Sequence, residues 1–366
     1  MGVTAGLRSA GLCAQPGAPF PDIRTRGKTR VMIQACKARM RPWLLIAVLA
    51  MAGNASAASA SASGACVDFR WITLGTAGGP AATPDRGEPS NLLIFGDHRI
   101  LVDAGDGTAG QLAKIGVDLG SVEAVFISHL HLDHTGGLGA VIGLRWMNQY
   151  PGRLHIIGPP GTREMINGLV ASMAPSAKIG IGVGPAMMPP AQSVEVTELR
   201  GGTDMDFGEL HVSAVRNTHY GVESSPSADA MQSLSYRFAQ GPRAIVYTGD
   251  TGPSSAVEGL ARHADLLVAE VIEADALLSN LAKTRKEVSP AMLAALRTHF
   301  TTHHLTPDAL GELAQAAGVS HLMVTHLAIA GSTAQSQDRV KLQILNRFHG
   351  PVDVAHDLQG ITVPCP

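Results

Sequence analysis

The residues that can do chemistry are concentrated in one hexapeptide, His129-Leu130-His131-Leu132-Asp133-His134. Imidazole and carboxylate are the ligands a divalent ion such as zinc takes where no thiolate is offered. Alternation in an extended segment puts His129 and His131 on one side. A turn after them can aim Asp133 and His134 at a second point, so a single hexapeptide can serve two metals. Gly136 and Gly137 follow and let backbone crowd the site. Three more metal-capable side chains stand just past apolar β-runs: His219 after Leu210–Val215, Asp250 after Ala244–Tyr247, and His326 after His321–Val324. Alone, each would be an ordinary surface or core residue. Together they complete the ligand count for two ions. Two such ions activate a bridging water near neutral pH and hold the anionic oxygens of a transition state. The pattern therefore predicts metal-dependent hydrolysis without a serine or cysteine nucleophile.

Positioning these groups requires strands that end at one place. From residue 67 onward, short apolar runs alternate with glycine turns. Asn91–Phe95 and Arg99–Asp103 read as a hairpin around Gly96-Asp97. Val122–Ser128, Leu154–Ile157, Leu234–Phe238, Ala244–Tyr247, Leu266–Val271 and His321–Thr325 read as strands, and residues 193–216 as strand, turn, strand. Thr108–Val117 and Arg163–Met173 have helical spacing, and Pro185–Pro190 reads as a loop. Thr306 is placed as an N-cap with Pro307 at the first helical position and Gly318 closing the helix. No long linker divides residues 67–363, which predicts one domain. Strand runs early and late with helices between them predict two packed sheets with helices outside, a four-layer αββα sandwich.

The first 60 residues read differently. Lys37, Arg39 and Arg41 precede an apolar run at 43–52, and Ala-Ser-Ala follows at 55–57 and 58–60. This is the pattern of a secretory signal peptide over about residues 37–60. The run is short of the roughly 20 residues of a membrane span. The expectation is a leader, residues 1–60, that is removed, leaving no stable membrane anchor and a periplasmic or secreted protein. The full chain has 366 residues and a net charge of −2. Residues 1–57 hold eight basic and one acidic residue, so without them 20 basic and 29 acidic residues remain, a net charge of −9. Such a surface opposes phosphate-backbone binding, and no nucleic-acid partner is expected. Cys66 and Cys365 would remain at the two ends, and an oxidising compartment suggests that they pair.

At this point the chain resembles the metallo-β-lactamase fold superfamily. The hexapeptide, Leu101-Val102-Asp103-Ala104-Gly105 upstream and the ordered His219, Asp250 and His326 downstream carry the resemblance, over roughly residues 67–330. Within it, Tyr236-Arg237-Phe238 before Tyr247-Thr248-Gly249-Asp250, then Glu270, then His304-Leu305-Thr306 is most similar to the ribonuclease Z and secreted arylsulfatase branch. The resemblance implies that His129, His131 and His219 hold one zinc, and that Asp133, His134 and His326 hold another. Asp250 would bridge the two, and Asp103 would orient a ligand or the hexapeptide loop. His304 is implied as proton donor, partnered by Glu270, with His303 an adjacent rival; Asp133 is implied to be needed for turnover.

These readings converge on an exported hydrolase of phosphate or sulfate esters, using two divalent ions, zinc in the first instance, and a metal-bridging hydroxide. The alternative is a lactonase or β-lactamase-type hydrolase. A ribonuclease Z-like endonuclease is kept as a lower-ranked alternative because of the leader, the acidic charge and the short 31-residue interval from His219 to Asp250. A metal-free binding protein is set aside because no ligand is missing. The expected partner is a small anionic ester, and related folds often form homodimers. Arg145, Trp146, Met147 and Tyr150 could grip an aryl anion or form a packed helix. His219–Val222 and the loop 223–230 are expected to wall the cleft. His98, His155, His211, His263, His299, His321, His349 and His356 belong to no motif and are expected at the surface.

Overall fold

Seven of the short apolar runs become one sheet and seven the other. In the computed structural model, β1 (Phe69–Gly75), β2 (Ser90–Phe95), β3 (His98–Ala104), β4 (Val122–Phe126), β5 (Leu154–Gly158) and β6 (Val194–Glu198) build the first. The second holds β7 (Thr203–Phe207), β8 (Leu210–Arg216), β9 (Leu234–Gln240), β10 (Arg243–Tyr247), β11 (Leu266–Ile272), β12 (Leu322–Ala328) and β13 (Val352–Val354). Strand β14 (Gln359–Thr362) returns to the first sheet, antiparallel to β1. The structure describes residues 67–180, 187–221, 231–285, 287–331 and 333–366, all within one compact unit, Ala62–Pro366.

Ten helices are described: α1 (Thr108–Lys114), α2 (Leu132–Thr135), α3 (Leu138–Met147), α4 (Thr162–Ser172), α5 (Ala174–Ile179), α6 (Ser255–Leu260), α7 (Ala274–Thr284), α8 (Pro290–His303), α9 (Pro307–Ala317) and α10 (Ala334–Leu345). Three apolar layers hold the fold together. Trp71 and Phe126 of the first sheet meet Tyr236, Phe238 and Tyr247 of the second between the sheets. Leu101 and Val125 pack outward on Leu112 of α1, Ile142 of α3 and Ile166 of α4. Val246 and Val324 pack outward on Leu260 of α6, Leu310 of α9 and Ile344 of α10. This is the four-layer αββα sandwich that the strand and helix order predicts. Among the described residues no helix is long and apolar enough to cross a membrane.

The β2–β3 hairpin turns on Gly96-Asp97, with Phe95 opposite His98. Thr306 caps α9 by accepting from Ala309 N, and Gly318 ends it at φ 63°. Elsewhere the structure departs from the sequence reading. Residues 193–216 hold three strands rather than two: β6 edges the first sheet, and β7 and β8 form a hairpin at the edge of the second. The reading lacked α7, α8, α10, β13 and β14, although Ser289-Pro290 is a cap and first-turn pair that starts α8. His326 lies inside β12, not after it. There the β11–β12 register slips between Ala269 and Val271, so that Thr325 and His326 face the single residue Glu270. Such a bulge re-aims side chains, and His326 sits at φ 43°. Cys365 takes part in a disulfide. Cys66, its expected partner, lies outside the described residues, as do the leader at 1–60, part of the 185–190 loop, and residues 222–230.

The Phe126 ring meets Tyr236 at 5.5 Å and Phe238 at 5.3 Å, edge-on in both cases. Phe126→Ala is expected to cost about 3–5 kcal/mol, read from denaturant unfolding of the purified chain.

Candidate metal centre

The centre forms where strand ends of both sheets meet. β3 delivers Asp103, β4 leads into the hexapeptide, β8 leads to His219, β10 to Asp250, and the β11–β12 bulge presents Glu270 and His326. The structure brings together all seven of the expected ligands. His131 Nδ1 lies 3.1 Å from His129 Nε2 and 3.1 Å from His219 Nε2. Three ring nitrogens so close, in a largely buried place, are a ligand set in search of a cation. A second set faces it. Asp133 Oδ2 is 3.7 Å from His134 Nε2 and 3.5 Å from His326 Nε2. Asp250 stands between the sets, with Oδ1 3.3 Å from His134 Nε2 and Oδ2 3.3 Å from His326 Nε2. Oδ2 is also 4.0 Å from both His129 Nε2 and His219 Nε2.

The polar accounting fits a metal pair. His134 Nε2, His326 Nε2 and Asp250 Oδ1 are buried without a hydrogen-bond partner. Buried polar atoms in that state are costly unless something coordinates them. The donors are nitrogen and carboxylate oxygen, a set that suits zinc and also iron or manganese.

Each histidine that offers Nε2 has its other ring nitrogen engaged or shielded. His129 Nδ1 donates to Ser128 Oγ at 3.0 Å, and that hydroxyl donates to Asp103 Oδ2 at 2.7 Å. His134 Nδ1 donates to Asp103 Oδ2 at 2.7 Å. His219 Nδ1 donates to the His303 carbonyl at 3.1 Å. His326 Nδ1 has no hydrogen-bond partner and lies 4.0 Å from Glu270 Oε2. Asp103 also accepts from Ser128 N at 2.7 Å and from the Tyr247 hydroxyl at 2.8 Å. Such supporting bonds fix tautomer and ring direction.

The two ligand sets differ electrically. Burial, and then the charge of His134, hold His129 well below the usual imidazole range; burial brings His219 down to about 4. Burial also lowers His131. The first set is therefore neutral and ready to bind. In the second set burial again pushes the rings down, but Asp250 and Asp103 outweigh it at His134, and Asp250 and Asp133 outweigh it at His326, so both are raised. Burial opposes the charged form of Asp250 too, but His326 and His134 hold it well below its ordinary value.

Beside the pair, His304 Nδ1 lies 2.8 and 3.0 Å from the two oxygens of Glu270, and Thr251 N donates to Glu270 Oε1 at 2.7 Å. Burial lowers His304, yet the Glu270 carboxylate raises it to about 9. His303, the adjacent rival, points its Nδ1 at the Thr218 carbonyl, 3.2 Å away. It serves the site through its own carbonyl.

Sequence reasoning placed Tyr220 only in a cleft wall and did not name Ser128 or Tyr247 as supporting groups. The Tyr220 ring packs 5.8, 5.4 and 5.4 Å from His129, His131 and His219, and its oxygen accepts from Leu130 N at 3.1 Å. Ser128 and Tyr247 flank the motifs directly, which was the available signal. Arg145 and Trp146 are buried and bond to the carbonyls of Leu119 and Met188. With Tyr150 they line a separate cavity that no centre residue borders, so the packed-helix reading describes them. The eight histidines without a motif are exposed or half-buried.

Comparison with known proteins agrees with this geometry. The beta-lactamase superfamily domain matches residues 98–327. A curated relative, the ribonuclease Z of Mycobacterium bovis, is 28% identical over 80% of this chain and 98% of its own length. Among solved structures, the metallo-β-lactamase fold protein YhfI of Bacillus subtilis gives a TM-score of 0.59 at 18% identity, covering 81% of this chain and all of that one. The short form of human tRNase Z gives 0.56 at 21% identity, again over 81% of this chain and all of the other. These relatives overturn the expectation that nucleic acid is no partner. The physical reason is that net charge sums a whole surface, whereas phosphate binding at such a centre depends on the charge of the centre.

Because protons compete for His134 and His326, an ion held by the second set should be lost at higher pH than one held by the first. Metal analysis after dialysis at stepped pH checks this; simultaneous loss of both ions would contradict it.

Proposed function

We propose that this chain, which belongs to the beta-lactamase superfamily, is a two-metal hydrolase of phosphodiesters, RNA among them, exported to an oxidising compartment. The observation that carries the reaction class is the His304–Glu270 pair set against two ligand sets that share Asp250. The substrate class is supported by the ribonuclease Z name of a relative matched over 98% of its own length, which favours phosphate over sulfate esters. Export is supported by the disulfide at Cys365 and by the leader pattern.

Two divalent ions held by the seven ligands would supply Lewis acidity and a nucleophilic water near neutral pH. The chain's own residues do the rest. Asp103 and the His303 carbonyl hold the ring nitrogens of three ligands in the tautomer that offers Nε2. Glu270, pinned by Thr251 N, holds the His304 ring by Nδ1 and keeps it protonated at neutral pH. Nε2 of His304 is then the donor for a departing alkoxide, the proton-transfer role that contributes about 10²–10⁴-fold in enzymes generally.

His304→Ala is expected to keep its metal and lose turnover by about 10²-fold or more. In the wild type, turnover should fall as pH rises through the His304 value of about 9, where the acid form disappears. That limb should be absent from the variant; a profile with the same limb would remove His304 from the role.

A rate panel on the zinc-loaded chain tests the substrate class. Bis-p-nitrophenyl phosphate and a short RNA should be cleaved faster than p-nitrophenyl sulfate, with Asp133→Ala as blank. Faster sulfate cleavage, or nothing above blank, would overturn the reading.

A further inference from the structure

The loop that leaves β1 reaches the metal centre without contributing a ligand. Leu327 N donates to the Thr76 carbonyl at 2.9 Å, and Ala77 pairs with Leu327 in an isolated parallel bridge. The end of the first sheet is thus tied to β12 one residue past His326. Two glycines follow. A Cβ on Gly78 would stand 2.3 Å from Ala328 N and 2.6 Å from the Leu327 carbonyl carbon. A Cβ on Gly79 would stand 1.9 Å from Asp133 Oδ2, 2.4 Å from its Cγ and 2.5 Å from its Cβ. Neither glycine is among those with positive φ, so the demand is for space, not for an unusual backbone angle. Because the Cβ of Asp133 is inside the collision, turning the carboxylate does not make room; the backbone of one of the two segments has to shift.

We propose that Gly78 and Gly79 are positioning residues for the second ligand set. Gly78 lets the loop lie against the strand that carries His326, and Gly79 forms the wall that holds Asp133 toward the metal. Among the described residues no hydrogen bond ties Asp133 to Asp103, which orients His129 and His134; its carboxylate lies 3.5 Å from His326 Nε2 and against the Gly79 backbone. The inference rests on the reading of Asp133 as a ligand, and the experiment separates the two.

Metal stoichiometry and affinity, by competition with a chelator, are measured on the full chain and on Gly79→Ala, Asp133→Ala, Asp133→Gly, Gly79→Ala with Asp133→Gly, and Gly168→Ala. Gly168 is exposed on α4 with open space around it, and its variant should bind two ions as wild type does. Gly79→Ala should keep one ion and bind the other roughly 10–100-fold more weakly, the usual cost of disturbing a ligand's support. Paired with Asp133→Gly, which removes the Cβ as well, Gly79→Ala should cost nothing beyond Asp133→Gly alone, since both changes act on one contact. Two ions at wild-type affinity in Gly79→Ala would overturn the inference. Two ions in Asp133→Ala would sink the ligand reading itself, and this inference with it. If Gly79→Ala does not fold, Asp133→Gly combined with it decides: room has been made, so folding should return to the level of Asp133→Gly alone. Continued failure would show that the collision is not with Asp133.

Discussion

One buried carboxylate, Asp103, is the constraint on which the centre depends. It ends β3 with no solvent exposure and accepts four hydrogen bonds: Ser128 N, Ser128 Oγ, His134 Nδ1 and the Tyr247 hydroxyl. An isolated carboxylate in that place would be far too costly to keep. Satisfied as it is, it joins the first sheet, the hexapeptide and the second sheet at one residue. Its φ of 57° is the left-handed conformation that aspartate tolerates better than most. Through Ser128 it reaches His129, so one side chain fixes a ligand in each set.

The second sheet contributes by the opposite device. Where Asp103 imposes order by hydrogen bonds, the β11–β12 bulge imposes it by backbone shape. A regular parallel ladder would send Glu270 and His326 to alternating faces in register with their neighbours. The slipped register puts one residue opposite two, and His326 takes a left-handed φ of the kind that costs about 1–3 kcal/mol. As a result Glu270 and His326 face one site, the first holding His304 and the second standing 3.3 Å from Asp250 Oδ2. Strain stored where two sheets of apolar strands over-determine the backbone is affordable in a way it would not be in a surface loop.

How far this was legible follows from the range of each signal. His129, His131, Asp133 and His134 declare themselves because four ligand types in six residues have no common structural use. His219, Asp250 and His326 needed the added fact that each stands at a β-run, and even then His326 was placed beyond a strand it lies within. A bulge is a relation between two strands, and nothing in Val324-Thr325-His326 alone shows it. Gly96-Asp97 and the Thr306–Gly318 caps were readable since turn and cap chemistry is local. Helix α8 was missed for a physical reason too: none of its residues is buried, so no apolar stripe marks it. Tyr220 packs on three histidines that come from two segments far apart in sequence, a contact only the folded chain defines.

The same distinction between local and summed quantities explains the error over nucleic acid. A net charge of −9 for residues 58–366 describes the field far from the surface, where salt screens it within about 10 Å. The field at the candidate metal centre is a different, local quantity. At the candidate centre imidazoles and carboxylates converge, and any divalent ion held there would add local positive charge that the net charge of the chain does not reveal. An acidic shell can lower the rate of encounter with a polyanion and still leave the chemical step intact. What the charge does constrain is grip: long duplexes or folded RNA held by many phosphates need basic surface, whereas a short strand or a single ester needs the centre alone. The acidic composition therefore bears on how extended a polyanion such a surface would hold, not on the chemistry a metal centre would do.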